Sequence, residues 1–150
     1  NAGEIAALAG DVGKVRGVDS VGEVSNPGEL VKTVAQRYGC TVVMTGAVDW
    51  VSEGSCLFAV HNGTPHLSAL TGSGCTLAAM IAAFVAVSGG NNVLASLAGL
   101  CCMEIAAEMA VESGRSDFGP ASFKVAWHDN IATIKANHVL QKAKVKTLMK

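Results

Sequence analysis

The chain has 150 residues, half of them hydrophobic and 15% charged, with a formal net charge of −1. That is one domain's worth of chain with a sizeable core, and it lacks the basic excess of a general nucleic-acid binder. Five cysteines, odd in number and without a C-x-x-C pair, argue against a complete disulfide framework and point to packing residues in a reducing cytoplasm.

In chain order, Asn1 reads as the cap of a short helix through about Ala9, with Glu4 closing an N-x-x-E box and Gly10 as the stop. No strand stands ahead of this cap, so the first part of a larger domain is expected to be missing. Asp11 to Ser25 reads as loop. Asn26-Pro27 opens a second helix that ends at Gly39, with Leu30, Val31, Val34 and Tyr38 at core spacing.

Thr41 to Thr45 is an apolar run without alternation, as expected of a central strand, and Gly46 ends it. Val48 to Ser52 and Ser55 to Val60 read as two more strands turned at Glu53-Gly54. Asn62-Gly63 signals a hairpin returning through His66 to Leu70. Helices are then expected from Thr76 to Val87, from Asn92 to Ser113 with Gly114 as its stop, and from Ala121 to Lys142 after Gly119-Pro120. Lys142, Lys144, Lys146 and Lys150 form a basic tail read as a solvated helix end. The order of elements predicts an α/β fold with helices packed on a central sheet.

The stretch from Thr76 to Val87 is too short to cross a bilayer. Val93 to Val111 is long enough but carries Glu104 and Glu108, and both are read as buried helices of a soluble protein. His61, His66, His128 and His138 lie at no metal-ligand spacing.

Chemistry concentrates at Thr71-Gly72-Ser73-Gly74-Cys75, directly before an apolar helix. A glycine turn feeding a helix presents unpaired N–H groups at the positive end of the dipole, which suits phosphate or an oxyanion. Gly72 and Gly74 allow close approach and positive φ, and a thiol at a helix start, as Cys75 is, is readily activated. Thr45 falls at the carboxyl end of a strand, where open α/β sheets bind ligands, and Glu4 lies at another helix start. Such a set could align nucleotide phosphates, Mg²⁺ and an acceptor hydroxyl. Plainer roles compete: Glu4 as half of a capping box, Thr45 bonding its own turn, Asp19 and Asp49 fixing loops, and Trp50 as packing.

Four ordered motifs carry a resemblance: Asn1-Ala2-Gly3-Glu4, Gly17-Val18-Asp19-Ser20, Val43-Met44-Thr45-Gly46-Ala47-Val48-Asp49-Trp50-Val51 and Thr71-Gly72-Ser73-Gly74-Cys75. Together they closely resemble the carboxyl-terminal part of the hydroxyethylthiazole kinase family, of the ribokinase-like superfamily, through about Val125. Cys75 stands where sugar-kinase relatives carry Asp.

The resemblance implies a three-layer sandwich, with a central, mostly parallel sheet, helices on both faces and a β-hairpin excursion. Residues 1–150 would then be the carboxyl-terminal portion of one domain. It implies transfer of the ATP γ-phosphate to the primary hydroxyl of 4-methyl-5-(2-hydroxyethyl)thiazole in thiamine salvage. By the same resemblance Gly72, Ser73, Gly74 and Cys75 would form the anion hole, with Cys75 beside the acceptor hydroxyl as the catalytic residue and Gly72 beside the thiazole. Asn1, Thr45 and Gly46 would serve ATP, and Glu4 would help hold Mg²⁺. A cytoplasmic, trimer-based homo-oligomer with sites at subunit contacts is implied, as is a tail position in fungal fusions with thiamine-phosphate synthase. The family draws on its amino-terminal half for most of the thiazole pocket and a second acidic metal residue, so this portion is expected to be incomplete by itself.

Three alternatives compete. Another ribokinase-like kinase, such as one acting on hydroxymethylpyrimidine, is opposed by Cys75 in place of Asp. A nucleotide-binding or assembly module without activity of its own fits the truncated start. A thiol-nucleophile hydrolase at Cys75 lacks a recognisable Cys–His–acid set in the sequence.

Overall fold

Helix α1 (Ala2–Ala9) begins where the Asn1 side chain accepts the Glu4 N–H at 3.1 Å, with the Glu4 carboxylate accepting in return from the Asn1 amine. It ends at Gly10, left-handed at φ 79°. Helix α2 (Pro27–Tyr38) repeats this local logic, with Asn26 as cap, Pro27 in the first turn and Gly39 left-handed at φ 60°. These coordinates are a computed structural model describing residues 1–10, 25–113 and 119–149. Most of the loop expected from Asp11 to Ser25, the Gly17-Val18-Asp19-Ser20 motif and the Gly114 stop lie outside the described residues.

The chain divides into two compact units, Asn1–His61 with Val145–Lys150, and Asn62–Lys144. In the first, strands β1 (Val42–Met44), β2 (Asp49–Ser52), β3 (Leu57–Val60) and β4 (Val145–Met149) form a sheet in the order β1-β2-β3-β4. Val42 pairs with Ser52, Asp49 with Val60, and Val60 with Val145. A core of Ile5, Val31, Val34, Ala35, Val42 and Met44 joins α1 and α2 to β1, with Trp50 packed against it.

Tyr38, expected in that core, is 53% exposed; its hydroxyl instead donates to the Leu8 carbonyl at 2.9 Å. Beside it, Arg37 Nη1 donates to the Ala9 carbonyl at 2.6 Å. The end of α2 thus satisfies carbonyls that the last turn of α1 leaves unpaired.

Two expectations differ from the structure here. Among the described residues every pairing is antiparallel where a mostly parallel sheet was expected, and β1, β2 and β3 are joined by turns too short for a crossover. The turn at Glu53-Gly54 is as expected, with Gly54 at φ 94° and its carbonyl accepting from Gln36 Nε2. Of the basic tail, Lys142 does end a helix, but Lys146 lies in an edge strand, β4, and Lys150 lies outside the described residues.

In the second unit, the hairpin expected at Asn62-Gly63 does not form. Thr64 caps a 3-10 helix, Pro65–Ala69, where a strand from His66 to Leu70 was expected. Pro65 cannot donate to a ladder, and the Asn62 side chain is committed elsewhere. Its Oδ1 accepts the Lys144 N–H at 2.7 Å and its Nδ2 donates to the Lys142 carbonyl at 2.9 Å.

Helices α3 (Ser73–Val87), α4 (Asn92–Glu112), α5 (Pro120–Thr133) and α6 (Ala136–Lys142) complete this unit. The single final helix expected from Ala121 to Lys142 is broken at Ile134, which turns to ψ 140°, and α6 restarts with His138 Nδ1 accepting the Lys135 N–H.

Helix α4 is long and apolar enough to cross a membrane, but 72% of its apolar window is buried within the protein. Gly99 lies against α3, where an added Cβ would meet the Ile81 Cα at 3.0 Å. Trp127 of α5 is buried and donates to the Met103 carbonyl at 3.1 Å.

Candidate phosphate-binding turn and its neighbours

The structure places the expected site residues in three local groups, each built by its own turn. Asn1 and Glu4 form the first. Both are exposed, and they are brought together by the capping box. The Glu4 carboxylate lies at the surface, with one of its oxygens serving the cap. The described residues hold no cluster of three His, Cys, Asp or Glu groups suited to a metal ion.

Thr45 and Gly46 form the second group, directly after β1. The Gly46 N–H donates to Asp49 Oδ1 at 2.8 Å, and Asp49 is only 2% exposed. A buried carboxylate accepting a backbone N–H fixes a turn strongly. Asp49 thus holds the chain that presents Thr45, the loop-fixing role its position suggested.

The third group is the turn into α3. Gly72 is the N-cap at φ 90° and ψ 2°, a left-handed conformation that favours glycine, and no side chain caps the helix. The first turn of α3 carries no acidic residue, whereas α1 and α2 carry Glu4 and Glu29 there. The positive end of the α3 dipole is left uncompensated, and Gly72, Gly74 and Cys75 are exposed.

Around Gly72 and Gly74 there is open space, so a ligand can approach the backbone. Ser73 Oγ donates to the Leu70 carbonyl at 3.1 Å, and Thr76 Oγ1 to the Gly72 carbonyl at 3.1 Å. Thr76, expected only as the start of the helix, anchors the residue that needs the left-handed turn. Its only signal in sequence was a hydroxyl four residues after that glycine.

Known proteins bear on this arrangement. The model of the hydroxyethylthiazole kinase family matches residues 1–137. The chain is 44% identical over 145 residues to a hydroxyethylthiazole kinase of Chloroflexus aurantiacus, covering 97% of this chain and 52% of that protein. A hydroxyethylthiazole kinase of Haemophilus influenzae is 41% identical over 146 residues, covering 97% of this chain and 54% of that protein. Among solved structures, a hydroxyethylthiazole kinase protein from Pyrococcus horikoshii OT3 matches with a TM-score of 0.80 and 37% identity, over 99% of this chain and 53% of that one. The chain spans about half the length of the relatives it matches.

Proposed function

This chain belongs to the hydroxyethylthiazole kinase family, and from that premise we propose that it supplies the phosphate-binding part of an ATP-dependent kinase for the primary hydroxyl of hydroxyethylthiazole. The observation that carries the reading is the Gly72 turn, an uncapped helix start at φ 90° with open space around it. An enzyme transferring a phosphoryl group needs little covalent help from protein. It needs donors fixed where negative charge develops.

In the proposed reaction the acceptor oxygen forms a bond to the γ-phosphorus of ATP. The bond to the β,γ-bridging oxygen breaks, ADP leaves, and the hydroxyl proton passes to solvent or a nearby base. The N–H groups of Gly72, Ser73, Gly74 and Cys75 stabilise the transferring phosphoryl group. Cys75, in the first turn of α3, stands beside the acceptor hydroxyl, where its position counts more than its basicity, because a loose transition state demands little early proton removal.

Asn1, Thr45 and Gly46 serve ATP, with the latter two held in place by Asp49. Glu4 fits one ligand position of Mg²⁺, directly or through water, since that ion takes one or two carboxylates and fills its remaining sites with water and phosphate oxygens. Bound there, Mg²⁺ would neutralise phosphate charge.

In this proposal the complete domain is a ribokinase-like three-layer sandwich with a larger, mostly parallel sheet. It acts in the cytoplasm as a trimer-based assembly with sites at subunit contacts. Support comes from family membership and from the match to the Pyrococcus structure over about half of that chain.

The test is to mix the longest form of the protein with Mg-ATP and hydroxyethylthiazole and follow products by mass. ADP together with phosphorylated thiazole supports the proposal. ATP binding without phosphorylated product favours the nucleotide-binding module instead.

A further inference from the structure

The segment that leads into the Gly72 turn is pinned at both ends. At its start the Gly63 N–H donates to Glu108 Oε1 of α4 at 3.0 Å. Further on it forms the 3-10 helix Pro65–Ala69, whose C-cap, Leu70, is buried. The Leu70 carbonyl accepts the Ser73 hydroxyl at 3.1 Å, so the placement of the 3-10 helix passes directly to the turn. A 3-10 helix this short is weakly held by its own hydrogen bonds and needs a seat on something firmer.

His66 supplies that seat. Its ring lies 5.2 Å from the Phe123 ring of α5, centroid to centroid, with the planes tilted by 39°. At such a separation aromatic rings attract one another. Phe123 is a firm base, only 1% exposed. α5 is in turn bonded to α4: Asn130 Nδ2 donates to the Ala106 carbonyl at 3.0 Å, one turn along from the Trp127 bond to Met103.

The pose of the ring is fixed from its other side. His66 Nδ1 and Thr64 Oγ1 are hydrogen bonded at 3.0 Å, and Thr64 also caps the 3-10 helix by accepting the His66 N–H. The ring edge is thus tied to the segment while its face rests on α5.

We propose that His66 is a positioning residue for phosphoryl transfer, whose contact with Phe123 seats the 3-10 helix on α5 and thereby holds the Gly72 turn in place. It acts through the turn and needs no contact with substrate. What it contributes is an aromatic face, not a proton. Its effect on turnover rests on the kinase reading, whereas its effect on the mobility of the turn does not.

The test compares His66→Ala with His66→Phe, which keeps an aromatic face and lacks an ionisable nitrogen. In the intact chain, backbone amide NMR order parameters at Gly72, Ser73, Gly74 and Cys75 are expected at about 0.85, falling toward about 0.6 in His66→Ala. His66→Phe should restore them. In the longest form of the protein, with Mg-ATP and hydroxyethylthiazole, His66→Ala should lower kcat by about tenfold at unchanged KM. His66→Phe should recover most of that loss. A residue that served only the fold would lower the denaturation midpoint and leave kcat of the folded protein as it was. Should His66→Ala fail to fold, His66→Gln, which also lacks the aromatic face, is read in its place. Unchanged order parameters in His66→Ala, a mobile turn in the unaltered chain, or a loss that His66→Phe does not recover would each overturn the proposal. No product from the unaltered protein would overturn the kinase reading, and the order parameters would still decide whether His66 holds the turn.

Discussion

Asp49 shows how much a single side chain can fix. Buried and accepting the Gly46 N–H at 2.8 Å, it holds the turn behind β1. Asp49→Ala should lower unfolding stability by about 1–3 kcal/mol, read from urea denaturation, because a donor inside the turn loses its partner. Features of this kind were legible in sequence because they are local. Asn1, Asn26, Gly10 and Gly39 each act through a side chain or a φ within a few residues. Tyr38 was misplaced because its spacing suits a core while its hydroxyl serves the Leu8 carbonyl.

At the scale of elements, α3 and α4 meet at a glycine. A side chain at position 99 would press on the Ile81 backbone, with Cβ 3.0 Å from Cα. Gly99→Val should cost about 1–3 kcal/mol by forcing the helices apart, measured as a lowered denaturation midpoint with unchanged slope. Helix positions were largely readable from caps and periodicity. Strand direction was not, since an apolar run such as Thr41 to Thr45 looks the same in a parallel or antiparallel pair, and only the connections decide. At Asn62-Gly63 a strong local hairpin signal lost to distant partners. The Asn62 side chain bridges Lys142 and Lys144, and the Gly63 N–H donates to Glu108 Oε1 at 3.0 Å. Glu108 in turn pairs with Lys144, and Glu112 with Lys142. Bonds spanning so much of the chain leave no short-range trace.

For the whole molecule, the motifs carried the resemblance through about Val125, the family match runs further, over residues 1–137, and the chain spans about half the length of its relatives. The Gly72 turn, proposed here to bind phosphate, was legible because glycine chemistry at a helix start is local. The burial of α3 was overestimated because composition alone implies a covering layer, and the described residues leave most of that helix exposed. The account stands on the Gly72 turn being the anion hole. At φ 90° valine is strained, and its side chain would enter the open space where a phosphate is expected.

The most direct measurement is therefore phosphorylated hydroxyethylthiazole formed from Mg-ATP by the longest form of the protein, against the same form carrying Gly72→Val. Loss of about a hundredfold or more in kcat, with helical content by circular dichroism unchanged, is the predicted result. Equal turnover by a folded Gly72→Val protein would contradict the account.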